Sequence, residues 1–555
     1  MKRTILGTIL LHGAAVLAFS QPPEAAPKFE AADVHVSAKT TNPFVRTGPV
    51  HAGRYDIRTA TMVDLIHLGY GFDNDKILGG PNWLEMDRFD VVAKVPPEST
   101  PETQKQMLQA MLEDRFHLVT HKDSKPLPTY ALQVGKKPLI KKADGTGETG
   151  CKPQTGSNAP AGGVMMVSMM NGVETRITLG PGMTVQFNCR NVTMATFAAG
   201  LRGMMGAAAS LGLNPVLDET GLEGAWDFDV SWSMGLQGPM IQNADRVTVV
   251  EAVEKQLGLK LQEKQVPTPV LMVDQVNQTP TPNPPEVAEL LPSVPAPTEF
   301  EVAVIKPSDP AGRGGRFQMQ PGGRLLAEGM NMRFLIGRAF NTTNNDQVVG
   351  LPKWADTDRF DITAKAPSGG PQLTGMDMDL LAPMMKALLV DRFKMTYHTE
   401  DRPATAYSLV AAKPKMKKAD PASRTWCKNM PAPAGSPPGT QILNCQNATM
   451  AQLAERLRYM SPELSWPILD ATGIEGGWDL TLTFTRNFGM AMPVAAASRS
   501  GDGPPQPGGN MASDPSGGQT LFEAIEKQLG LKLEMQKRPM PVIVIDHIEQ
   551  KPTDN

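Results

Sequence analysis

The chain has 555 residues, and its 54 Lys+Arg against 57 Asp+Glu leave a formal net charge of −3. That balance, with no basic stripe, excludes the electrostatic footprint of a nucleic-acid binder. The length implies several domains, and no stretch beyond the N-terminal twenty residues reaches the ~18 consecutive apolar residues that signal a membrane-spanning helix.

The first element is a secretory signal. Lys2 and Arg3 precede a mostly apolar run from Ile5 to Phe19, and Ala18-Phe19-Ser20 offers small residues where a signal peptidase reads. The run is shorter than the ~20 residues a spanning helix needs. The expectation is residues 1–20 as a signal peptide cleaved after Ser20, a periplasmic or secreted protein, and no stable membrane insertion after cleavage.

Next come a helix capped at Thr61, TMVDLIHLGYGF, and the segment DRFDVVAK. In the latter, Phe89, Val91 and Ala93 alternate with Arg88, Asp90 and Lys94, the period of a strand with one buried face. A second helix is expected over about Glu102–Asp114, followed by two strands near Phe116–His121 and Thr129–Val134. A later part restarts with a helix capped at Thr193, then short strands PVLD and WDFDV, a helix ending at a Gly258 C-cap that leads into the start of a strand, and a final strand VLMVDQV.

The whole series then repeats. PNWLEMDRFDVVAKVP at Pro81 answers PKWADTDRFDITAKAP at Pro352; LEDRFHLVTH at Leu112 answers LVDRFKMTYH at Leu389; LDETGLEGAWDF at Leu217 answers LDATGIEGGWDL at Leu469; EKQLGLKL at Glu254 returns at Glu526. The predicted fold class is α+β, in two homologous tandem halves, each of two small lobes of antiparallel sheet with one or two helices. The first repeat covers 29–278, with lobes at about 29–145 and 186–278. A proline-rich linker, 279–298, is expected to be a stiff spacer. The second repeat covers 299–552, with lobes at about 299–420 and 445–550 and a low-complexity insert at about 487–519.

Four cysteines sit at matching places, two per half. The repeat favours structural disulfides Cys151–Cys189 and Cys427–Cys445, as an oxidising compartment allows. A metal pair ranks below, since there is no CxxC and no histidine beside either cysteine.

Catalytic motifs are absent: no HExxH, GxSxG, P-loop, or GxGxxG after a strand. No catalytic, cofactor-binding or metal residue is assigned, and no cofactor is expected. His121 and His398 are the histidines at matched positions, and a strand-end role suits them better than a site. The polar strand faces Arg88, Asp90, Lys94 and Arg359, Asp361, Lys365 are candidate contacts for an anionic ligand, weighed against cross-strand ion pairs. Trp83, Trp354, Trp226 and Trp478 suit cores or lobe contacts. The methionine run Met165–Met170 reads as an incidental Gly-rich loop rather than a copper(I) site, and the triplets at Asn191 and Asn447 as lead-ins to helix caps.

Taken in order, FEVAVIKPS, VVGLPKWADTDRFDITAKAP, LLVDRFKMTYHTEDRPATAYSLV, ATMAQLAERL, ILDATGIEGGWDLTLTF and LFEAIEKQLGLKLEMQKRPMPVIVIDHIE resemble an uncharacterised family of exported proteins. That family is soil-associated, abundant in acidobacteria, and built on a domain of unknown function, mostly in single copy. The resemblance implies export and no assigned reaction. Similar domains are sometimes joined to membrane metallopeptidases of the beta-lactam-sensor type, which implies a sensory or binding role. It offers no active-site residues to carry over. The resulting expectation is a non-catalytic envelope or extracellular binding module with a protein or small-molecule partner. The alternatives are an enzyme of unrecognised type, requiring Arg88, Asp90, His121 and Asp218 in one cleft, or a scaffold of an envelope assembly.

Overall fold

The computed structural model describes residues 26–553, less 39, 41–42, 157–162, 171–172, 213, 235–246, 293–295, 310–314, 321, 343–346, 368–376, 431, 434–435, 437–439, 461–463, 465 and 486–518. The expected signal peptide and nearly all of the low-complexity insert lie outside the described residues. The first half opens with β1 (Ala31–Val36), β2 (Arg46–Thr47), β3 (Arg54–Thr61), α1 (Met62–Tyr70), β4 (Ile77–Gly79), β5 (Arg88–Lys94), α2 (Pro101–Phe116) and β6 (Val119–Val134). It continues with β7 (Lys141–Lys142), β8 (Gly150–Pro153), β9 (Val164–Met170), β10 (Val173–Gly180), β11 (Thr184–Thr193), α3 (Met194–Leu201), α4 (Ala208–Leu211), β12 (Val216–Asp218), β13 (Ala225–Ser233), α5 (Val249–Leu257) and β14 (Leu259–Gln275). The second half repeats this order, so the α+β class and the two tandem halves stand.

Each half is itself built twice. Remove the β9–β10 hairpin and the single turn α4, and both lobes read strand, strand, strand, helix, short strand, strand, helix, long strand. One local device marks every copy. The strand before the first helix carries a bulge whose residue has positive φ: Thr59, Asn191, Gly329 and Asn447. Its N–H donates to an aspartate on the neighbouring strand, at 2.8 Å to Asp90, 2.7 Å to Asp227, 2.9 Å to Asp361 and 3.0 Å to Asp479. Two residues later the chain supplies the helix N-cap, Thr61, Thr193, Asn331 or Thr449. The bulge turns the strand's end toward the helix, the aspartate satisfies an N–H that the broken ladder cannot, and the cap satisfies the first helical N–H groups.

The two lobes of a half exchange their long strands. β6 leaves the first lobe, where Leu118 is buried, and ends with Leu132 in the second core; β14 starts there with Leu259 and Leu261 and ends with Leu271 and Val273 in the first. They pair antiparallel along their length with Pro126 facing Pro267. A proline pair cannot exchange the two bonds of a hydrogen-bonded position, so it occupies the other kind, whose N–H groups point outward. The step from Pro126 to Pro267 also carries Tyr130, Ala131 and Leu132 onto Leu271, Met272 and Val273, the residues that pair in parallel with β12 and β4 respectively. The half therefore has a pseudo-twofold axis through its proline pair. Pro403 faces Pro539 in the second half, where strands Thr396–Ala411 and Leu531–His547 repeat the arrangement.

This geometry revises three expectations. The two strands near 116–121 and 129–134 are one continuous strand, and so are the segments on either side of Val266, because the polar, proline-bearing middle is an open ribbon with no core beneath it. The final strand of the range 186–278 contributes to both cores. Met165–Met170 is no loop: it lies in β9, paired with β10, with Met166 packed on the second core and Met165 exposed.

The expected bridges are present. Cys151 and Cys189 are directly opposed across β8 and β11, Cys427 and Cys445 across Trp426–Met430 and Thr440–Ala448, and there is no free cysteine among the described residues. None of the four hydrophobic cores mixes residues of the two halves. No helix among the described residues is long and apolar enough to cross a membrane.

Each half is closed by its own tail. The buried Arg115 at the end of α2 donates to Ala32 O, Thr281 O and Asn283 Oδ1, binding β1 to the chain that follows β14. Arg392 does the same with Ala303 O and Thr553 O. The start of the linker is thus strapped to the first lobe, and Val287, in a short helix Val287–Leu290, is buried there.

Candidate functional site

The repeated polar residues have structural partners within their own half. Arg88 donates to Thr59 O at 2.6 Å and Arg359 to Gly329 O at 2.8 Å, clamping the bulge from the other side to the aspartate. Asp90 and Asp361 also accept from Ser37 and Ser308, each at 2.6 Å. Lys94 pairs with Glu30 at 2.9 Å and Lys365 with Glu301 at 3.4 Å. His121 pairs with Asp274 at 2.7 Å and His398 with Asp546 at 3.0 Å, both exposed on the ribbon. Asp218 and Asp470 accept from the backbone and hydroxyl of Thr220 and Thr472, fixing the turn before the next strand. Trp83 and Trp354 pack edge-on against Phe89 and Phe360.

These groups do not converge. Arg88 and Asp90 serve the first lobe's sheet, His121 the ribbon and Asp218 a turn of the second lobe, with no hydrogen bond or ion pair joining them. Among the described residues no group of three or more His, Cys, Asp or Glu is placed to hold a metal.

The positions where the copies differ do converge, on the seam between the halves. Glu85, only 15% exposed, receives Arg424 at 3.3 Å and Lys428 at 3.0 Å. Arg424, 13% exposed, also donates to Ile77 O at 2.8 Å and to Gly79 O. Thr425 N–H donates to Asn82 O at 3.0 Å. Burial pulls the Arg424 guanidinium below its ordinary value, and Glu85 pulls it back up. In the first copy the place of Arg424 is held by Glu148, which pairs with its own Lys152. The place of Glu85 is held in the second copy by Asp356, which pairs with its own Arg333 at 2.5 Å. At both places the homologous residue, Glu148 or Asp356, is also charged but is paired within its own half.

A second contact joins Arg46 of β2 to Asp379 at 2.6 Å and Asp377 at 3.4 Å. Asp377 is the N-cap of helix Met378–Arg392, where the first copy uses Thr100. Burial raises the Asp377 carboxyl, with Arg46 opposing.

Two concavities open on this seam. One, of about 420 Å³, lies between the first lobe and the helix Met378–Arg392; its charged lining is Arg46, Arg58, Asp90, Asp379 and Lys386. The other, of about 320 Å³, lies between Trp83 and Asp87 on one side and Asn447, Thr449 and Gln452 on the other. In the larger one the buried Thr59 is held at φ 52, where the second copy has Gly329. A left-handed β-branched residue costs about 1–3 kcal/mol.

With this geometry in view, the family model for DUF3738, a protein of unknown function, matches residues 63–276 and again 333–548. The chain belongs to the DUF3738 family. It carries two tandem DUF3738 copies, and the structure places the start of each copy earlier than the match, at β1 and its counterpart Val302–Pro307. No curated protein matches the chain, and no solved structure does.

The repeated polar residues Arg88, Asp90, Arg359 and Asp361 thus hold the bulge in each copy of the DUF3738 unit. Sequence reasoning missed Arg58, Lys386 and Arg424 because they are not repeated. The signal that marks them is the change of residue type between aligned copies.

Proposed function

We propose that this protein is an exported, non-catalytic binding module of the cell envelope or extracellular space, in which two DUF3738 halves act as one body and the seam between them is the binding surface. The observation that carries the reading is the divergence at the seam: Glu148 in one copy against Arg424 in the other, with Glu85 as its partner across the join. A duplication kept only for two equal, separate sites has no use for a charge reversal that locks its halves together. Export is supported by the paired cysteines in each half and by the N-terminal secretory pattern. A joint surface is favoured over two separate modules by the start of the linker, which is strapped to the first lobe through Thr281 and Asn283.

The test is affinity capture from envelope extract with three baits: the chain lacking residues 1–20, each half alone, and the chain with Arg424→Glu. A partner retained by the intact chain and lost by the other baits supports a joint surface. A single half that retains the same partner as tightly as the whole contradicts it.

A further inference from the structure

Arg46 and Arg58 face each other across β2 and β3. Like charges directly opposed destabilise a strand pair. The second copy has the complementary solution at the same register, Arg316 facing Glu328. The first copy therefore holds an arrangement that its homologue avoids. Arg46 is compensated across the seam by Asp379 and Asp377. Arg58 is half-buried, and its guanidinium makes no hydrogen bond or ion pair among the described residues.

Lys386 stands on the opposite wall of the same cleft. Its ammonium lies 4.9 Å from the centre of the Phe340 ring and 5.9 Å from that of Tyr397, and it too has no ion pair. In the first copy this helix position is Gln109, tied to Gly69 O at 2.8 Å. The carboxylates of the lining are already engaged: Asp90 by Thr59 N–H and the Ser37 hydroxyl, Asp379 by Arg46 and the Thr40 hydroxyl. The two charged groups of the lining left without a hydrogen-bonding or ion-pair partner are thus both positive, and they are set among Ala339, Phe340, Met378, Ala382 and Pro383.

We propose that this cleft binds a carboxylate carried on an apolar body, with Arg58 and Lys386 taking the anion and the Phe340–Met378 wall taking the body. The proposal rests on the reading of the seam as the binding surface. A planar guanidinium presents paired N–H donors that match a carboxylate. The volume of about 420 Å³ falls in the range of small-molecule sites, roughly 300–1,000 Å³. The apolar wall gives such a ligand an advantage over inorganic phosphate.

The experiment titrates the chain lacking residues 1–20 with benzoate, benzyl alcohol and inorganic phosphate, by calorimetry and ligand-observed NMR. Benzoate is expected to bind saturably, with benzyl alcohol and phosphate each about tenfold weaker or more. Arg58→Glu and Lys386→Met should each weaken benzoate by about tenfold or more, the scale of losing a hydrogen bond to a charged group. Arg58→Glu supplies a second readout, because it copies the second half's pairing: the free chain should melt at a higher temperature while losing the ligand. No saturable benzoate binding, binding unchanged in Arg58→Glu, or phosphate binding as tightly as benzoate would each overturn the assignment. If seam-dependent capture of a partner persists while benzoate fails, only this ligand assignment falls; if both fail, the reading of the seam falls with it.

Discussion

Replacing Arg424 with glutamate restores the charge that the first copy carries at this place and should open the seam. Arg424 spans two backbone carbonyls, Ile77 and Gly79, and the Glu85 carboxylate, and both charged side chains are largely buried. Removing one partner of a buried ion pair costs about 3–5 kcal/mol. Lys428 still reaches Glu85 at 3.0 Å, so the lower end applies, about 3 kcal/mol or roughly a hundredfold in association. The assay introduces a protease site in the linker near residue 292, cuts the folded chain, and measures whether the halves remain together. Each half has its own cores and disulfide, so cutting need not unfold either. The parent halves should stay associated, and Arg424→Glu should weaken association about a hundredfold without changing either half's melting. A double-mutant cycle with Glu85→Ala should show a coupling of about 1.5 kcal/mol or more, as close charge pairs across interfaces do. Equal association of the parent and Arg424→Glu halves would refute the reasoning.

Asp361→Ala strands the Gly329 N–H and the Ser308 hydroxyl, and should cost about 2 kcal/mol in denaturant unfolding; Asp361→Asn, which keeps an acceptor, should cost less. Thiol titration of the denatured, unreduced chain should find no free thiol, and reduction should destabilise each half by about 3–4 kcal/mol on the chain-entropy account. The hydrogen bond that His398 donates to Asp546, with the charge of that carboxylate, raises His398 above its ordinary value of 6.5. The folded form thus holds its proton more tightly than the unfolded one. This contribution to stability is complete below the unfolded value and is lost as pH rises through the folded one. His398→Gln should remove that part of the pH dependence of the unfolding midpoint.

Much of the scaffold was legible because it is local. The alternation of Phe89, Val91 and Ala93, the caps at Thr61 and Thr193, and the Gly258 helix end are short-range chemistry, and the structure has them all. The exchanged strands were not, because Lys122 to Pro128 has neither an apolar face nor a reason to stay extended except its partner, Gln265 to Leu271. The resemblance between lobes was hidden as well. It survives as a bulge, an aspartate and a cap, while the residues between them have diverged; the spacing of Pro126 and Pro128 against Pro267 and Pro269 is a further trace. The seam was illegible for the opposite reason. A search for repeated residues finds what both copies need to fold, whereas Arg424 and Arg58 matter by differing from Glu148 and Glu328.

The account stands or falls on the four lobes forming one body. Small-angle X-ray scattering of the chain lacking residues 1–20 measures this directly. It predicts a curve fitted by the docked halves as a single rigid particle, and a larger radius of gyration for Arg424→Glu. A curve that requires two particles moving independently, the same for parent and variant, would contradict it.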